Sequence, residues 1–371
     1  MNEIVLVVVI FSAAAYLFAL LPPVIRFSRL PKTVSEKQQL PALTVLVPAR
    51  NEADTILHCL QALKAQEAAA EIIVVNDHSE DNTAEIAASV PGVRVVHLDE
   101  KQQGKKAAIM AGIAAASGKI ILVTDADCIP PPQWSRLLAA QIQGNVQMAF
   151  GPIVLQGKNG LLKAVQETES IAVQAVSAGL LDGGVAFTAS GASMCYVRSL
   201  PAQTGSYAND TTPSGDDVLL LLRAHAQQPG TVQWVHNVSA AVPAAAAQRL
   251  NEFFAQRIRW ASKYNYYRSG RIQFIGAAVA ANSFILWLLL ILTCFFPQLI
   301  LLLLLNILLK FAADFLLLSL TVAFFRKTNL LLWFIAAWPV YQLCTPLITI
   351  GAFAGRFSWK NRKYLTKTPQ A

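Results

Sequence analysis

Hydrophobic residues in this chain fall into two kinds of run. Residues 4 to 25, beginning Ile4-Val5-Leu6, are apolar throughout and long enough for a membrane-spanning helix of about 20 residues. Residues 273 to 296 and 298 to 320 are two more span-length runs parted by Pro297, a break suited to a tight hairpin. A last run covers 329 to 353 and contains Pro339 and Pro346. Between these blocks the pattern shortens. Leu43-Thr44-Val45-Leu46-Val47, Ile72-Ile73-Val74-Val75, Val93-Arg94-Val95-Val96 and Ile120-Ile121-Leu122-Val123 read as buried strands, separated by helical stretches near 53 to 66, 81 to 89 and 105 to 116. This rhythm predicts a parallel sheet covered by helices, in which ligands bind beyond the carboxyl ends of the strands. Asn51 and Glu52 follow the first strand, Asp77 ends the second, and Asp125 and Asp127 end the fourth, so polar groups converge on one edge.

Composition places this domain in a membrane protein. The chain is 54% hydrophobic and only 14% charged over 371 residues, with the apolar excess at both ends. Its net charge of +8 does not point to nucleic acid, because no run of Lys or Arg is interleaved with base-stacking aromatics. A bilayer with anionic lipids explains the charge better. The start Met1-Asn2-Glu3 lacks the basic residues of a signal peptide, and the apolar run after it is too long for one. Arg26, Arg29, Lys32 and Lys37 follow that run, so the positive-inside rule places the central domain in the cytoplasm. Three full crossings after the domain would put Arg356, Lys360, Arg362 and Lys363 outside, against the same rule. Either one run is re-entrant or interfacial, or the rule is broken. The five cysteines show no metal-ligand or disulfide spacing and suit a reducing compartment; Cys128, with no histidine partner placed by the sequence, reads as a packing residue.

The chemistry lies in four groups in fixed order: Asp77, Asp125-Ala126-Asp127, Gly215-Asp216-Asp217 and Gln256-Arg257-Ile258-Arg259-Trp260. An Asp-x-Asp at a strand end lets two carboxylates approach one cation, and Mg²⁺ or Mn²⁺ prefers carboxylate together with phosphate oxygens and water. Asp216 and Asp217 also suit the start of a helix, where acids are favoured. Metal-assisted transfer from a nucleotide-linked donor needs acids to hold the cation, a further carboxylate to take a proton, and a positive group to meet the departing charge. No Gly-rich dinucleotide fingerprint follows the first strand.

With these motifs the chain resembles a membrane-bound family-2 glycosyltransferase, similar to bacterial polysaccharide synthases and ceramide glucosyltransferases. The resemblance runs from residue 41 to about 270 by motif. It implies an inverting enzyme with the GT-A fold, a Rossmann-like mostly parallel sheet with helices on both faces, flanked by transmembrane helices. In the family pattern Asp127 reaches the metal and Asp125 lies nearer the donor ribose or sugar. Asp77 contacts the nucleobase, although Asn76 stands where a second acid is usual, and an Asx turn capping the next helix is the alternative. Glu52 falls at the donor edge, and Lys105 and Lys106 meet the diphosphate or form a solvated helix face. Asp217 is the base that deprotonates the acceptor, supported by Asp216. Arg259 offsets diphosphate charge and Trp260 walls the acceptor site, with Gln256 opening the motif; a basic-aromatic interfacial helix is the alternative there. Ser190-Gly191-Ala192-Ser193-Met194 resembles a segment lining the acceptor pocket, with Ser193 where Asn is common. Lys310 and Asp314, four apart in an apolar run, are expected to pair with each other, a lipid head-group or translocation role being the alternative.

The expected organisation is a transmembrane helix over 1–27, a cytoplasmic glycosyltransferase domain over 40–270, two or three membrane helices over 271–355 and a basic tail over 356–371. The expected activity is metal-dependent transfer of a hexosyl or N-acetylhexosaminyl group from a nucleotide sugar, UDP-linked by expectation, to a lipid or glycan hydroxyl, giving a β-linkage. Processive polysaccharide synthesis competes with this, and an inactive glycan-binding assembly subunit is a further alternative. A bacterial-type inner or plasma membrane is the expected location.

Overall fold

A computed structural model describes residues 2–34, 39–68, 70–207, 215–228, 230–353, 356–359 and 362–365. Lys37, Lys360 and much of the expected basic tail lie outside the described residues. The chain divides into two compact units, one of Leu30–Gln156 and Ala186–Ala245, the other of Met1–Arg29, Gly157–Val185 and Ala246–Ala371.

The first unit is built on nine strands: β1 (Leu43–Ala49), β2 (Glu71–Asn76), β3 (Val93–His97), β4 (Ile120–Val123), β5 (Met148–Phe150), β6 (Ile153–Gln156), β7 (Met194–Val197), β8 (Val232–Trp234) and β9 (Val242–Ala245). Seven form one sheet in the order β3-β2-β1-β4-β7-β5-β8, and β6 pairs with β9 in a small parallel sheet. The four predicted strands run parallel, with Val45 opposite Ile72 on one side and Leu122 on the other. β7 inserts antiparallel to both β4 and β5. The predicted α/β class, mostly parallel with helices on both faces, is present.

Burial on both faces explains why β1, β2 and β4 read as unbroken apolar runs; β3, expected as a buried strand, is an edge strand with Arg94 and His97 exposed. Val45, Val47, Val74 and Leu122 pack with Ile56, Leu60 and Trp134 in one core cluster. Leu46 and Val75 face the other way, onto the helix Lys105–Ala115, where a Cβ on Gly112 would lie 2.9 Å from Leu46. Each fully buried aliphatic side chain stabilises the fold by about 1.5–3 kcal/mol relative to exposure. The predicted helix 53–66 begins later, at Ile56. Its expected first turn is a loop instead: Asn51 adopts a left-handed φ of 51°, Glu52 N donates to Thr83 Oγ1, and Ala53 N donates to Asp81 Oδ2.

The second unit is helical. Asn2–Arg29, Gly270–Phe295, Pro297–Ser319 and Leu330–Ala352 are each long and apolar enough to cross a membrane. A single 3₁₀ turn at Pro297–Leu299 makes the predicted hairpin. Pro339 and Pro346 lie inside the last helix, Leu330–Phe353, which a two-stranded hairpin of Arg356–Trp359 and Arg362–Leu365 follows. Two further helices, Leu161–Asp182 and Leu250–Ala261, complete the unit. Leu161–Asp182 was not anticipated. It meets the first helix so closely that a Cβ on Gly179 would fall 1.7 Å from the Pro23 carbonyl oxygen. Lys310 pairs with Asp314 at 2.8 Å as expected, and Tyr16, Trp338 and Gln342 also donate to that carboxylate.

Candidate active site

At the carboxyl edge of the first unit's sheet the polar groups meet. Asp125 and Asp127 lie just past β4, and with the Cys128 thiol they place three ligand atoms within 4.8 Å of one another. Burial, then the charges of Asp125 and Glu52, hold the Asp127 carboxyl above its usual range. Crowded carboxylates of this kind relax when a divalent cation is added, and two acids leave positions for phosphate oxygens and water. The donor set therefore fits Mg²⁺ or Mn²⁺. Cys128 is no nucleophile: burial and the two aspartates push its thiol upward, and Sγ lies 3.6 Å from Asp127 Oδ1.

Lys105 sits inside the acid cluster rather than on a solvated helix face. Its Nζ lies 2.5 Å from Asp125 Oδ1 and 3.8 Å from Asp216 Oδ2. Burial alone would depress its pKa, but Asp125, Asp216 and Asp217 outweigh it and hold the ammonium charged. Lys105 thus ties the Asp125 edge to the Asp216-Asp217 helix start. Lys106 is half-buried on the same first turn.

Asp217 is fixed from two sides. Gly191 N donates to Oδ2 at 3.0 Å and Val218 N donates to Oδ1 at 2.8 Å. Its neighbour Asp216 is buried and begins the helix Asp216–Gln227. Gly191 has no room for a side chain, since a Cβ there would lie 2.7 Å from Lys105 Nζ. In the same segment Ser193 accepts a hydrogen bond from Trp134 Nε1 at 3.1 Å, wholly buried.

Asp77 is buried, with Oδ2 accepting from Gly104 N at 3.0 Å. The turn chemistry expected of Asp77 belongs to its neighbours: Asn76 Oδ1 accepts from Ser79 N, and Asp81 Oδ1 accepts from Thr83 N at the next helix start. Asn76 also bonds His97 Nδ1, which gives the substituted amide a structural role. Glu52 accepts from Thr55 Oγ1 and contributes to the field at Asp127.

Two tyrosines went unnoticed in the sequence. The buried side chains of Tyr196, on β7, and Tyr207 lie within electrostatic reach of each other and of Asp216. Burial keeps both phenols protonated far above pH 7, and the Asp216 charge adds to that. Tyr196 reads only as a strand residue, whereas Tyr207 is a non-glycine residue at φ 67°, a strained conformation no sequence pattern marks.

Gln256, Arg259 and Trp260 belong to the helical unit, on the helix Leu250–Ala261. Arg257 is its buried member: Nε lies 2.6 Å from Glu169 Oε2, the guanidinium bonds Gln256 Oε1, and it stacks 4.7 Å over Phe253 and 4.6 Å over Trp260. Arg259 is half-buried and Trp260 is 40% exposed.

Comparison with known proteins agrees with this arrangement. Residues 44–200 match the family model of Glycosyl transferase family 2. Curated relatives include the glycosyltransferase AglE of Haloferax volcanii, 33% identical over 129 residues (33% of this chain, 42% of the relative). The succinoglycan biosynthesis protein ExoO of Rhizobium meliloti is 36% identical over 115 residues (30% and 33%). The chain thus spans less than half the length of these curated relatives. Among solved structures, a mannosyltransferase from Pyrobaculum calidifontis, determined with GDP-Man and Mn²⁺, superposes with a TM-score of 0.55 at 20% identity, covering 91% of this chain and 99% of that one. The fold is GT-A.

Proposed function

We propose that this protein is a membrane-integrated inverting glycosyltransferase that moves a sugar from a nucleotide diphosphate donor, UDP-linked, to a hydroxyl on a lipid or lipid-linked acceptor. One observation carries the reading: a half-buried, charged lysine, Lys105, stands among Asp125, Asp216 and Asp217 beside the Asp125/Asp127/Cys128 cluster. Such an edge balances a donor's negative charge against a carboxylate poised for proton transfer.

Asp127 and Asp125 would hold the divalent cation, which when bound offsets charge on the donor diphosphate. Asp77, fixed by Gly104 N, bonds the nucleobase, while Glu52 orders the loop at the donor edge. Lys105 and Lys106 sit where diphosphate oxygens would gather. Asp217 accepts the acceptor's proton as the hydroxyl attacks the anomeric carbon opposite the leaving diphosphate, so an α-linked donor gives a β-product. Asp216 stays paired towards Lys105 and supports it. The family motif alone supports a role for Arg259 toward the diphosphate and for Trp260 and Gln256 toward the acceptor. Arg26 and Arg29 at the end of the first helix support a cytoplasmic orientation by the positive-inside rule.

A processive polymerase remains the second reading, because the relative ExoO is a succinoglycan biosynthesis protein. The test is to screen the detergent-solubilised protein against a panel of nucleotide sugars, reading free nucleotide with and without EDTA. Metal-dependent release with UDP-sugars and one sugar added to an organic-soluble lipid supports the proposal. Long polymer product selects the second reading, and no turnover with any donor rejects both.

A further inference from the structure

The last apolar helix, Leu330–Phe353, has 24 residues, about 36 Å, and so the length to cross a bilayer. Both of its ends nevertheless belong to one layer. Lys327, three residues before it, pairs with Glu167 at 2.9 Å. At the far end a Cβ on Gly351 would lie 2.7 Å from Ile258 Cδ1, and the strand Arg356–Trp359 packs on the helix Leu250–Ala261. The two helices that receive these ends are joined by the Arg257–Glu169 ion pair at 2.6 Å. That pair lies one residue from Ile258 and two from Glu167.

Neither receiving helix can itself be a span. Leu250–Ala261 has 12 residues, and Leu161–Asp182 carries Lys163, Glu167, Glu169 and Asp182. They mark one membrane face. The same face receives the end of the first helix, where Gly179 abuts Pro23, Gly183 abuts the Arg26 guanidinium, and the Phe27 ring lies 5.2 Å from Phe324. A full crossing would set the ends of Leu330–Phe353 about 30 Å apart along the membrane normal, and its two anchors with them.

We propose that Leu330–Phe353 enters and leaves on this one face, lying against the acyl chains of a single leaflet. The proposal rests on reading the other three long apolar helices as spans. Leu332, Ile335, Leu343, Leu347 and Ile350 recur at helical spacing and are all exposed, forming the lipid-facing side. On the opposite side Trp338 and Gln342 donate to Asp314, and Trp287 Nε1 donates to the Gln342 carbonyl, so the middle of the helix is held by polar groups. Pro339 and Pro346 each remove a backbone donor and permit curvature along such a path. The chain then crosses three times, and the strands that carry Arg356, Arg362 and Lys363 return to the face of Arg26 and Arg29. The conflict with the positive-inside rule disappears.

Single-cysteine labelling of the full chain in sealed cells tests this, in a Cys294→Ser background that removes the one exposed native thiol among the described residues. Ser28→Cys, Gln298→Cys, Thr328→Cys and Ser358→Cys are probed with a membrane-impermeant maleimide before and after permeabilisation. Ser28→Cys, Thr328→Cys and Ser358→Cys should label only after permeabilisation, and Gln298→Cys before it. Ser358→Cys labelling like Gln298→Cys overturns the proposal. Ser28→Cys and Gln298→Cys sharing one pattern overturns the span assignment beneath it. A C-terminal alkaline phosphatase fusion, inactive on the cytoplasmic side, gives the same decision should position 358 be shielded from the reagent.

Discussion

Replacing Lys105 with methionine keeps the length of the side chain and removes the one cation described among Asp125, Asp216 and Asp217. A unit pair at about 4 Å is worth at most about 4 kcal/mol at an effective dielectric of 20. The Asp125 side chain is 38% exposed, so much of its share is lost to solvent screening. Asp216, only 8% exposed, keeps more of its share. The expected net loss is about 1–3 kcal/mol without metal, a fall in unfolding temperature of roughly 2–4 °C per kcal/mol for a unit of this size. A divalent cation on Asp125 and Asp127 restores positive charge at the same place, so the loss should shrink when Mn²⁺ is present. Thermal unfolding in detergent, scanned at one rate with EDTA and with Mn²⁺, measures both values. A variant that unfolds with the wild type in EDTA, or that loses the same amount in both conditions, would refute the coupling between Lys105 and the metal edge.

Asp217→Asn keeps the side chain's size and an acceptor oxygen for one of the two N–H donors, Gly191 or Val218, but cannot take a proton; sugar transfer should drop by roughly 10² to 10⁴ while nucleotide binding survives, and near-normal transfer would move the base elsewhere. Ser193→Ala leaves the buried Trp134 indole N–H without its acceptor, at a cost of about 1–3 kcal/mol in a denaturation midpoint. Gly179→Ala would normally favour a helix, yet its Cβ strikes the Pro23 carbonyl, so the sign should reverse to a loss of about 1–3 kcal/mol. Burial would raise the Glu71 pKa, but hydrogen bonds from Ser117 and Thr44 and the charge of Arg94 lower it. Its stabilisation is therefore present above the unfolded carboxylate pKa of about 4.3 and fades as pH falls through the folded value, and the gap between wild type and Glu71→Gln should close in acid.

What was legible in the sequence follows from where the partners lie. β1, β2 and β4 are buried on both faces, and that requirement writes itself locally as β-branched runs, whereas the edge strand β3 is only half-buried, with Arg94 and His97 exposed. The acids at their ends were legible for the same reason, since the end of a readable strand is a readable place. Leu161–Asp182 was not, because its apolar stripe is interrupted by Glu167 and Glu169; Glu167 pairs locally with Lys163, but Lys327 and Arg257, which complete the pairing of Glu167 and Glu169, stand 160 and 88 residues away. Asp77 was legible as a polar residue at a strand end, where the structure buries it, but the local turn that seemed its alternative use is made by Asn76 and Asp81. Lys105 could be read only as a helix-start cation. Its direction is set by Asp216, more than a hundred positions downstream.

The chain visits the helical unit at Gly157–Val185 before returning to supply β7 and β8, and this bears on how the protein is made. Synthesis from the N-terminus produces Leu161–Asp182 when only the first apolar helix exists to meet it at Gly179. Glu167 can pair at once with Lys163, but Glu169 gains Arg257, and Glu167 its second partner Lys327, only when those residues emerge. By then β8 and β9 have already completed both sheets. A nascent chain halted just short of Lys327 would hold a finished catalytic layer attached to an open helical one, so the final forty-odd residues act as the latch of assembly.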